Sequence, residues 1–246
     1  MEQSESIWQQ LRITPSIEDY SITEFLSDVS TREPKAVLEL LKNRIEYEET
    51  KPRGKEFRSL PFHWEHRLHF RGQANFQQLL REIRDWIAEK PDSWVRSMEG
   101  AKLFQGVAGE YNDPIIEVLE EAIYSGLPNQ LEAAARILRE APKDLVWNNV
   151  RFIENILEAA KKLGEEKLRS VGSNLISSVE SDVRSGKLGE PFQADIQQRE
   201  KALKMAESLT PGSLIEKFYR TLAESAERNI SWHSESSEKM TDAREW

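Results

Sequence analysis

The chain has 246 residues, a formal net charge of −9 and a pI near 5.2, which argue against a protein coated for nucleic acid over its whole surface. It contains no cysteine, which excludes disulfides, thiolate metal sites and cysteine catalysis and fits a reducing cytoplasm. No apolar run approaches the roughly 20 residues of a membrane span, and the acidic, polar first residues predict no signal peptide.

The residue types favour helix throughout. Ala, Leu, Glu, Lys and Arg dominate, whereas Gly and Pro are few, a balance typical of helical proteins. The alternating runs rich in Val and Thr that indicate a sheet are missing. The sequence therefore predicts an all-α fold, in one domain or two small ones.

Residues 1–49 are predicted to form the N-terminal helices. A short helix is expected from about Ser21. A longer one is expected next, capped by Ser30 or Thr31 and carrying Pro34 in its first turn. Its apolar stripe has helical spacing and consists of Val37, Leu38, Leu41 and Ile45.

Residues 50–72, here called the basic connection, interrupt the helical pattern at Pro52, Gly54 and Pro61. Six Lys or Arg residues stand against two Glu, a local net charge of +4 in an acidic chain, and four aromatic residues lie among them. The candidate binding residues of this segment are Arg53, Lys55, Arg58, Trp64, His66, Arg67, His69 and Arg71.

The basic connection has two interpretations. As a contact surface, its cations would bind phosphates or another anion and its aromatic rings would stack on bases. As an ordinary connection, its aromatic residues would pack under the first repeat, and its cations would remain solvated or pair with Glu46, Glu48 and Glu49.

Three histidines, His63, His66 and His69, recur every third residue within this segment. On a helix the first and last would differ in direction by roughly 120°, and no carboxylate with matching spacing completes a ligand set. The sequence therefore predicts no metal site. Phosphate-loop, dinucleotide-binding and nucleophile-elbow motifs are also missing, so no catalytic residue and no cofactor are predicted.

Residues 73–230 carry a repeated helical hairpin. The first helices match at an offset of 38, with Ile115, Val118, Leu119, Ala122 and Gly126 against Ile153, Ile156, Leu157, Ala160 and Gly164. The second helices match at an offset of 37, with Leu131, Ala134, Ala135 and Leu138 against Leu168, Val171, Gly172 and Leu175. A looser copy places Leu79, Ile83 and Ile87 before Ile115, Leu119 and Ile123 by 36 residues. A hairpin with one apolar stripe must stack on its neighbours to bury it.

The second helix of the first copy, from Pro91 to Leu103, resembles the corresponding helix of HEAT and armadillo-type repeats. An acidic turn precedes Val95 and Arg96, and the small residue Gly100 follows. The third copy is similar, whereas the middle copy has Glu132 where the arginine is expected. The resemblance covers about 100 residues. It implies a short α-solenoid of three to four repeats, and it implies no shared catalytic residues.

Small and aromatic residues within the repeats have structural interpretations. Ala134, Ala135 and Gly172 are expected at close helix contacts, and close packing or helix termination explains Gly100, Gly106 and Gly109. Trp86, Trp94 and Trp147 are expected between repeats. Trp8, Trp232 and Trp246 would anchor the termini or mark a partner surface.

The C-terminal part of the chain is predicted to contain a loop, a hairpin and a tail. The loop is expected at 177–193 and precedes a degenerate fourth hairpin, and residues 231–246 are predicted to be a mobile tail.

These patterns predict a non-enzymatic scaffold or adaptor that binds a protein partner, as a subunit or part of a larger regulatory assembly. The acidic balance suits a basic partner or a basic segment of one. The alternative is an accessory subunit that binds nucleic acid or a phosphate-bearing ligand through residues 51–71. An enzyme without a recognisable motif is a third alternative.

Overall fold

The structure is a computed structural model. It describes the backbone of residues 2–51, 57–61, 64, 68–180 and 192–242, and within these ranges it describes the side chains from 7 to 232. All regular secondary structure in these ranges is helical, which confirms the predicted all-α class. No helix in the described part of the chain has both the length and the apolar character that crossing a bilayer requires.

Twelve helices are present in the described ranges. They are α1 (Glu2–Ile13), α2 (Tyr20–Arg32), α3 (Pro34–Glu49), α4 (Phe76–Glu89), α5 (Trp94–Ala108), α6 (Asp113–Tyr124), α7 (Pro128–Arg139), α8 (Asp144–Asn148), α9 (Val150–Lys162), α10 (Glu165–Glu180), α11 (Gln193–Glu207) and α12 (Leu214–Asp242). The chain divides into two compact units, Met1–Leu145 and Val146–Trp246. The division lies inside the predicted repeat region.

The N-terminal helices differ from their prediction. Helix α1 was not expected, and α2 continues to Arg32, so Ser30 and Thr31 lie inside it rather than at the start of α3. Glu33 occupies the N-cap of α3 without a side-chain bond, and Pro34 stands in the first turn as predicted. Because the hydroxyls of Ser30 and Thr31 donate to the carbonyl oxygen of Ser27 in the preceding turn, these two residues are compatible with a helix interior.

In the first unit, α4 pairs with α5 and α6 pairs with α7, and the two hairpins pack on each other. Gln77 donates to Glu117 at 3.2 Å, and one turn later Arg81 donates to Glu121 at 2.6 and 2.9 Å. Both pairs join α4 to α6 at the same offset, so the two helices run parallel. Leu119, a predicted stripe residue, is fully buried.

In the second unit, α9 pairs with α10, α11 pairs with α12, and α12 also packs on α9. The buried hydroxyl of Tyr219 donates to the carbonyl oxygen of Val146 at 2.6 Å, and its ring stacks on Trp147 with centroids 5.8 Å apart. Burial raises the pKa of Tyr219 to about 12. Leu157 is 2% exposed, in agreement with the predicted stripe.

Four local features differ at least in part from their prediction. Trp86 and Trp147 are buried as expected, but Trp94 is 64% exposed and does not pack between repeats. Gly172 has open space around its Cα rather than a neighbouring helix.

Helix α12 continues to Asp242, so residues 231–242 of the predicted tail are helical, while Trp246 lies outside the described residues. The loop predicted for 177–193 begins later than expected, because α10 extends to Glu180; residues 181–191 lie outside the described ranges.

Candidate functional site

The described part of the basic connection borders a surface cavity of about 760 Å³ in the first unit. We call it the Ser59 cavity. Its lining comes from the connection, from α5 and the residue after it, from the C-terminal ends of α3 and α7, and from the segment before α2. The lining residues are Glu18, Glu48, Phe57, Arg58, Ser59, Leu60, Pro61, Trp64, Arg71, Glu99, Lys102, Gln105, Gly106, Gly109 and Glu140.

A buried arginine fixes the backbone next to Ser59. Arg44, in the apolar stripe of α3, is completely buried and donates to the carbonyl oxygens of Arg58 at 2.5 Å and Ser59 at 2.9 Å. It also donates to three carbonyl oxygens at the end of α1 and just beyond, those of Leu11, Arg12 and Thr14. Burial lowers the pKa of Arg44 to about 10, and the charge of Glu48 opposes this effect. A fork of five N–H donors suits such a set of acceptors.

Side chains of the connection lie against two glycines, Gly106 in α5 and Gly109 at its C-cap. A Cβ on Gly106 would collide with the indole of Trp64, coming within 2.6 Å of Cη2 in addition to a closer clash with Cζ2. A Cβ on Gly109 would collide with the guanidinium of Arg71, which donates weakly to the carbonyl oxygen of Val107 at 3.4 Å. Gly109 also ends the helix with φ +70°, a conformation that favours glycine. The predicted roles of close packing and termination are confirmed here.

The charges of the lining are mixed. Three cations and four carboxylates give a formal net charge of −1. Arg58 pairs with Glu18 at 3.1 Å, and Lys102 pairs with Glu99 at 2.7 Å. These pairs are largely exposed and contribute at most about 1 kcal/mol each to stability. Within the described residues, Glu48 and Glu140, the other two carboxylates of the lining, have no cationic group within 4.0 Å.

Glu140 also faces an aromatic neighbour. Tyr111 is half-buried, its hydroxyl oxygen is buried, and no described atom bonds to that oxygen. Burial raises the pKa of Tyr111, and the charge of Glu140 adds to the effect. The C-terminal end of α7 therefore brings a carboxylate close to a neutral phenol beside the cavity.

Three lining residues hold buried polar atoms that no other described atom satisfies. These atoms are Glu48 Oε2, Ser59 Oγ and Gln105 Oε1. Ser59 is only 2% exposed. The amide nitrogen of Gln105 donates to the carbonyl oxygen of Gly109 at 3.1 Å, which fixes the amide so that its oxygen is the unmatched atom. Unmatched buried atoms also occur elsewhere, for example in Gln130 and Gln198. Because each such atom is costly and three of them belong to residues of one lining, we take this cavity as the candidate site.

The predicted binding residues are only partly brought together. Arg58, Trp64 and Arg71 line the Ser59 cavity, whereas His69 is exposed outside it and its backbone N–H donates to Ser30 Oγ at 2.8 Å. Arg53, Lys55, His66 and Arg67 lie outside the described residues. Trp64 is 5% exposed, so its ring face is not open for stacking on a base. The burial of Trp64 agrees with the second interpretation of the basic connection, in which its aromatic residues pack on the repeats.

The predicted ion pairs also differ in detail. Glu46 bonds to Arg96 at 2.6 Å and accepts from Trp86 at 3.0 Å, and Glu49 lies 3.9 Å from Lys90. Glu46 therefore contacts α4 and α5, and Glu49 lies near the residue that follows α4. Arg58 instead pairs with Glu18.

Sequence reasoning did not find most of the lining. Glu18, Ser59, Gln105 and Glu140 are far apart in the sequence and share no motif, so only the folded chain brings them together. For Gly106 and Gly109 the sequence supported only a general expectation, close packing or helix termination, and did not indicate which side chains approach them.

Among the residues that the structure describes, no three His, Asp or Glu side chains are arranged to hold a metal ion. Two of the three clustered histidines, His63 and His66, lie outside those residues. No protein-family model, no curated protein and no solved structure matches this chain.

Proposed function

We propose that this chain is a non-enzymatic, cytoplasmic adaptor that binds a protein partner at the Ser59 cavity, with the helical hairpins as its scaffold. The observation that carries the proposal is that three residues of one cavity lining, Glu48, Ser59 and Gln105, each hold a buried polar atom without a partner among the described residues. A ligand that supplies hydrogen bonds to them would recover part of their desolvation cost. The volume of about 760 Å³ is in the range of pockets that take a ligand group.

The geometry supports binding over catalysis. A serine becomes a nucleophile when a neighbouring base removes its proton. Ser59 Oγ has no hydrogen-bond partner among the described residues, and its position is set by backbone contacts with Arg44. These features fit a role for Ser59 in hydrogen bonding to a ligand better than a role as an activated nucleophile.

The geometry also favours a protein over nucleic acid. The lining carries four carboxylates, which repel phosphates. Arg58 and Lys102 already pair with two of them, and Trp64 is buried. A peptide segment, which can present both charged side chains and hydrogen-bond donors, is a better match for a lining that combines ion pairs with unmatched acceptors.

Site-directed photo-cross-linking tests the proposal. Benzoylphenylalanine would replace Arg58 or Lys102 in the full chain, and in a matched control it would replace the exposed Lys217 of α12. After irradiation in native extract, we expect the same discrete protein adduct at positions 58 and 102 and none at 217. Adducts that are equal at all three positions would overturn the proposal. Adducts at 58 and 102 that nuclease removes would favour the nucleic-acid alternative.

A further inference from the structure

We propose that the Ser59 cavity binds a guanidinium group, the side chain of an arginine that the partner presents. The inference rests on the proposed function for the source of that arginine. The recognition chemistry itself rests on the described residues of the cavity.

The unmatched atoms select a ligand that is rich in donors. Glu48 Oε2 and Gln105 Oε1 accept hydrogen bonds and cannot donate them, and Ser59 Oγ accepts as well. The amide of Gln105 cannot turn round without losing its bond to the carbonyl oxygen of Gly109. A guanidinium offers five N–H donors in one plane and no acceptor, so it matches a group of acceptors better than a phosphate or a carboxylate does.

The charges select a cation. Arg58 and Lys102 have carboxylate partners, and the guanidinium of Arg71 lies against Gly109 with a bond to Val107. An anionic ligand would therefore have to displace existing contacts. Arg44 lies close enough to feel the charge of Glu48, but its bonds are to backbone carbonyl oxygens. Glu48 and Glu140 thus remain the carboxylates for an incoming cation.

The site is held in place before any ligand arrives. The carbonyl oxygen of Ser59 accepts from the buried Arg44 at 2.9 Å, and Phe57 packs beneath the same guanidinium, 4.7 Å from its ring centre. The N–H of Arg58 donates to the carbonyl oxygen of Pro15 at 2.9 Å. Because these contacts order the segment in advance, binding loses little additional conformational freedom.

Isothermal titration of the full chain with capped peptides tests the proposal. The probes are acetyl-Gly-Gly-Arg-Gly-Gly-amide and the same peptide with citrulline, which keeps the shape but loses the charge and two of the five N–H donors and gains a carbonyl acceptor. Two further probes are agmatine, which carries a guanidinium group without a peptide, and inorganic phosphate, which tests for anion binding. We expect the arginine peptide to bind at least about tenfold more tightly than the citrulline peptide, as for loss of a charge-assisted hydrogen bond.

Two variants separate recognition from folding. Ser59→Ala removes a buried hydroxyl without a partner, so the melting temperature should stay unchanged or rise while the arginine peptide binds about tenfold more weakly. Glu48→Gln should weaken the arginine peptide and leave the citrulline peptide unchanged. The matched control is Glu49→Gln, the next residue of α3, whose carboxylate lies towards Lys90 rather than in the lining.

Each contrary result has a definite meaning. Equal binding of the arginine and citrulline peptides, or equal effects of Glu48→Gln and Glu49→Gln, would overturn the guanidinium site. Agmatine binding far more tightly than the peptide would overturn the protein source, and binding of phosphate alone would overturn the cation assignment. If the peptides fail while cross-links form at positions 58 and 102, this inference falls and the proposed function stands. If the arginine peptide binds and no cross-link forms, the proposed function falls.

Discussion

The indole of Trp64 lies on the bare backbone of Gly106, with no room between them for a methyl group. This contact fixes the basic connection to α5 and forms one wall of the Ser59 cavity. Gly106 lies inside a helix, where glycine costs about 0.5–1 kcal/mol relative to alanine. The close approach of Trp64 is the physical reason for a glycine here.

Gly106→Ala should therefore lower the free energy of unfolding, by about 1–3 kcal/mol, because the indole must move. Gly172→Ala is the matched control, since it makes the same change inside α10 with open space around the Cα. It should raise stability by about 0.5–1 kcal/mol. Urea unfolding of both variants measures the two effects. A stabilised Gly106→Ala would show that Trp64 does not occupy this position.

The sequence predicted those features of the fold that arise from a residue pattern repeated along the chain. The stripes containing Leu119 and Leu157 identified the hairpin helices, because an apolar residue every third or fourth position has one physical explanation in a water-soluble helix. The glycines Gly106 and Gly109, in or just after a repeat helix, were likewise explained by close packing or helix termination.

The sequence did not predict features formed by single residues. Arg44 lies in the apolar stripe of α3, between Leu41 and Ile45, yet its charge suggests exposure by default. Its burial depends on carbonyl oxygens of Leu11, Thr14 and Ser59, and tertiary structure alone supplies these. The Ser59 cavity depends on the same contacts, so it was equally hidden from sequence analysis.

Arg44→Met should be strongly destabilising, by about 3 kcal/mol or more. Methionine fills much of the volume but leaves several buried carbonyl oxygens without donors, at about 1–3 kcal/mol for each such group. Arg58→Gln is the control, because it removes only an exposed pair with Glu18 and should cost at most about 1 kcal/mol. Thermal and urea unfolding compare the two. Similar losses in both variants would contradict the role given to Arg44.

Leu119→Asp and Leu157→Asp should each cost several kcal/mol, because each places an unpaired carboxylate at a buried position of a hairpin helix. The first variant tests the first unit and the second variant tests the second. Leu203→Asp, at a position of α11 that is 39% exposed, should be nearly neutral. Melting temperatures close to the wild-type value for the two buried positions would show that the alignment of the repeats is wrong.

The pairing of α4 with α6 predicts a specific dependence of stability on pH. The hydrogen bonds from Arg81, followed by the bond from Arg84, hold the pKa of Glu121 below its ordinary value, against the opposing effect of burial. A carboxyl group whose folded pKa is lowered stabilises the protein above its unfolded pKa of about 4.3 and loses this contribution as the pH falls through the folded pKa. The carboxylate is partly exposed, so the effect is modest.

Glu121→Gln should accordingly be less stable than the wild type by about 0.5–1 kcal/mol at pH 7. The difference should shrink as the pH falls below about 4 and as salt screens the pair. The control is Glu120→Gln, one residue away on the same helix, which removes a carboxylate but keeps the bonds between Glu121 and Arg81. Urea unfolding from pH 3 to pH 8 measures both. A difference that stays constant down to pH 3 would mean that Glu121 acts by packing, and the parallel contact of α4 with α6 would then not depend on this ion pair.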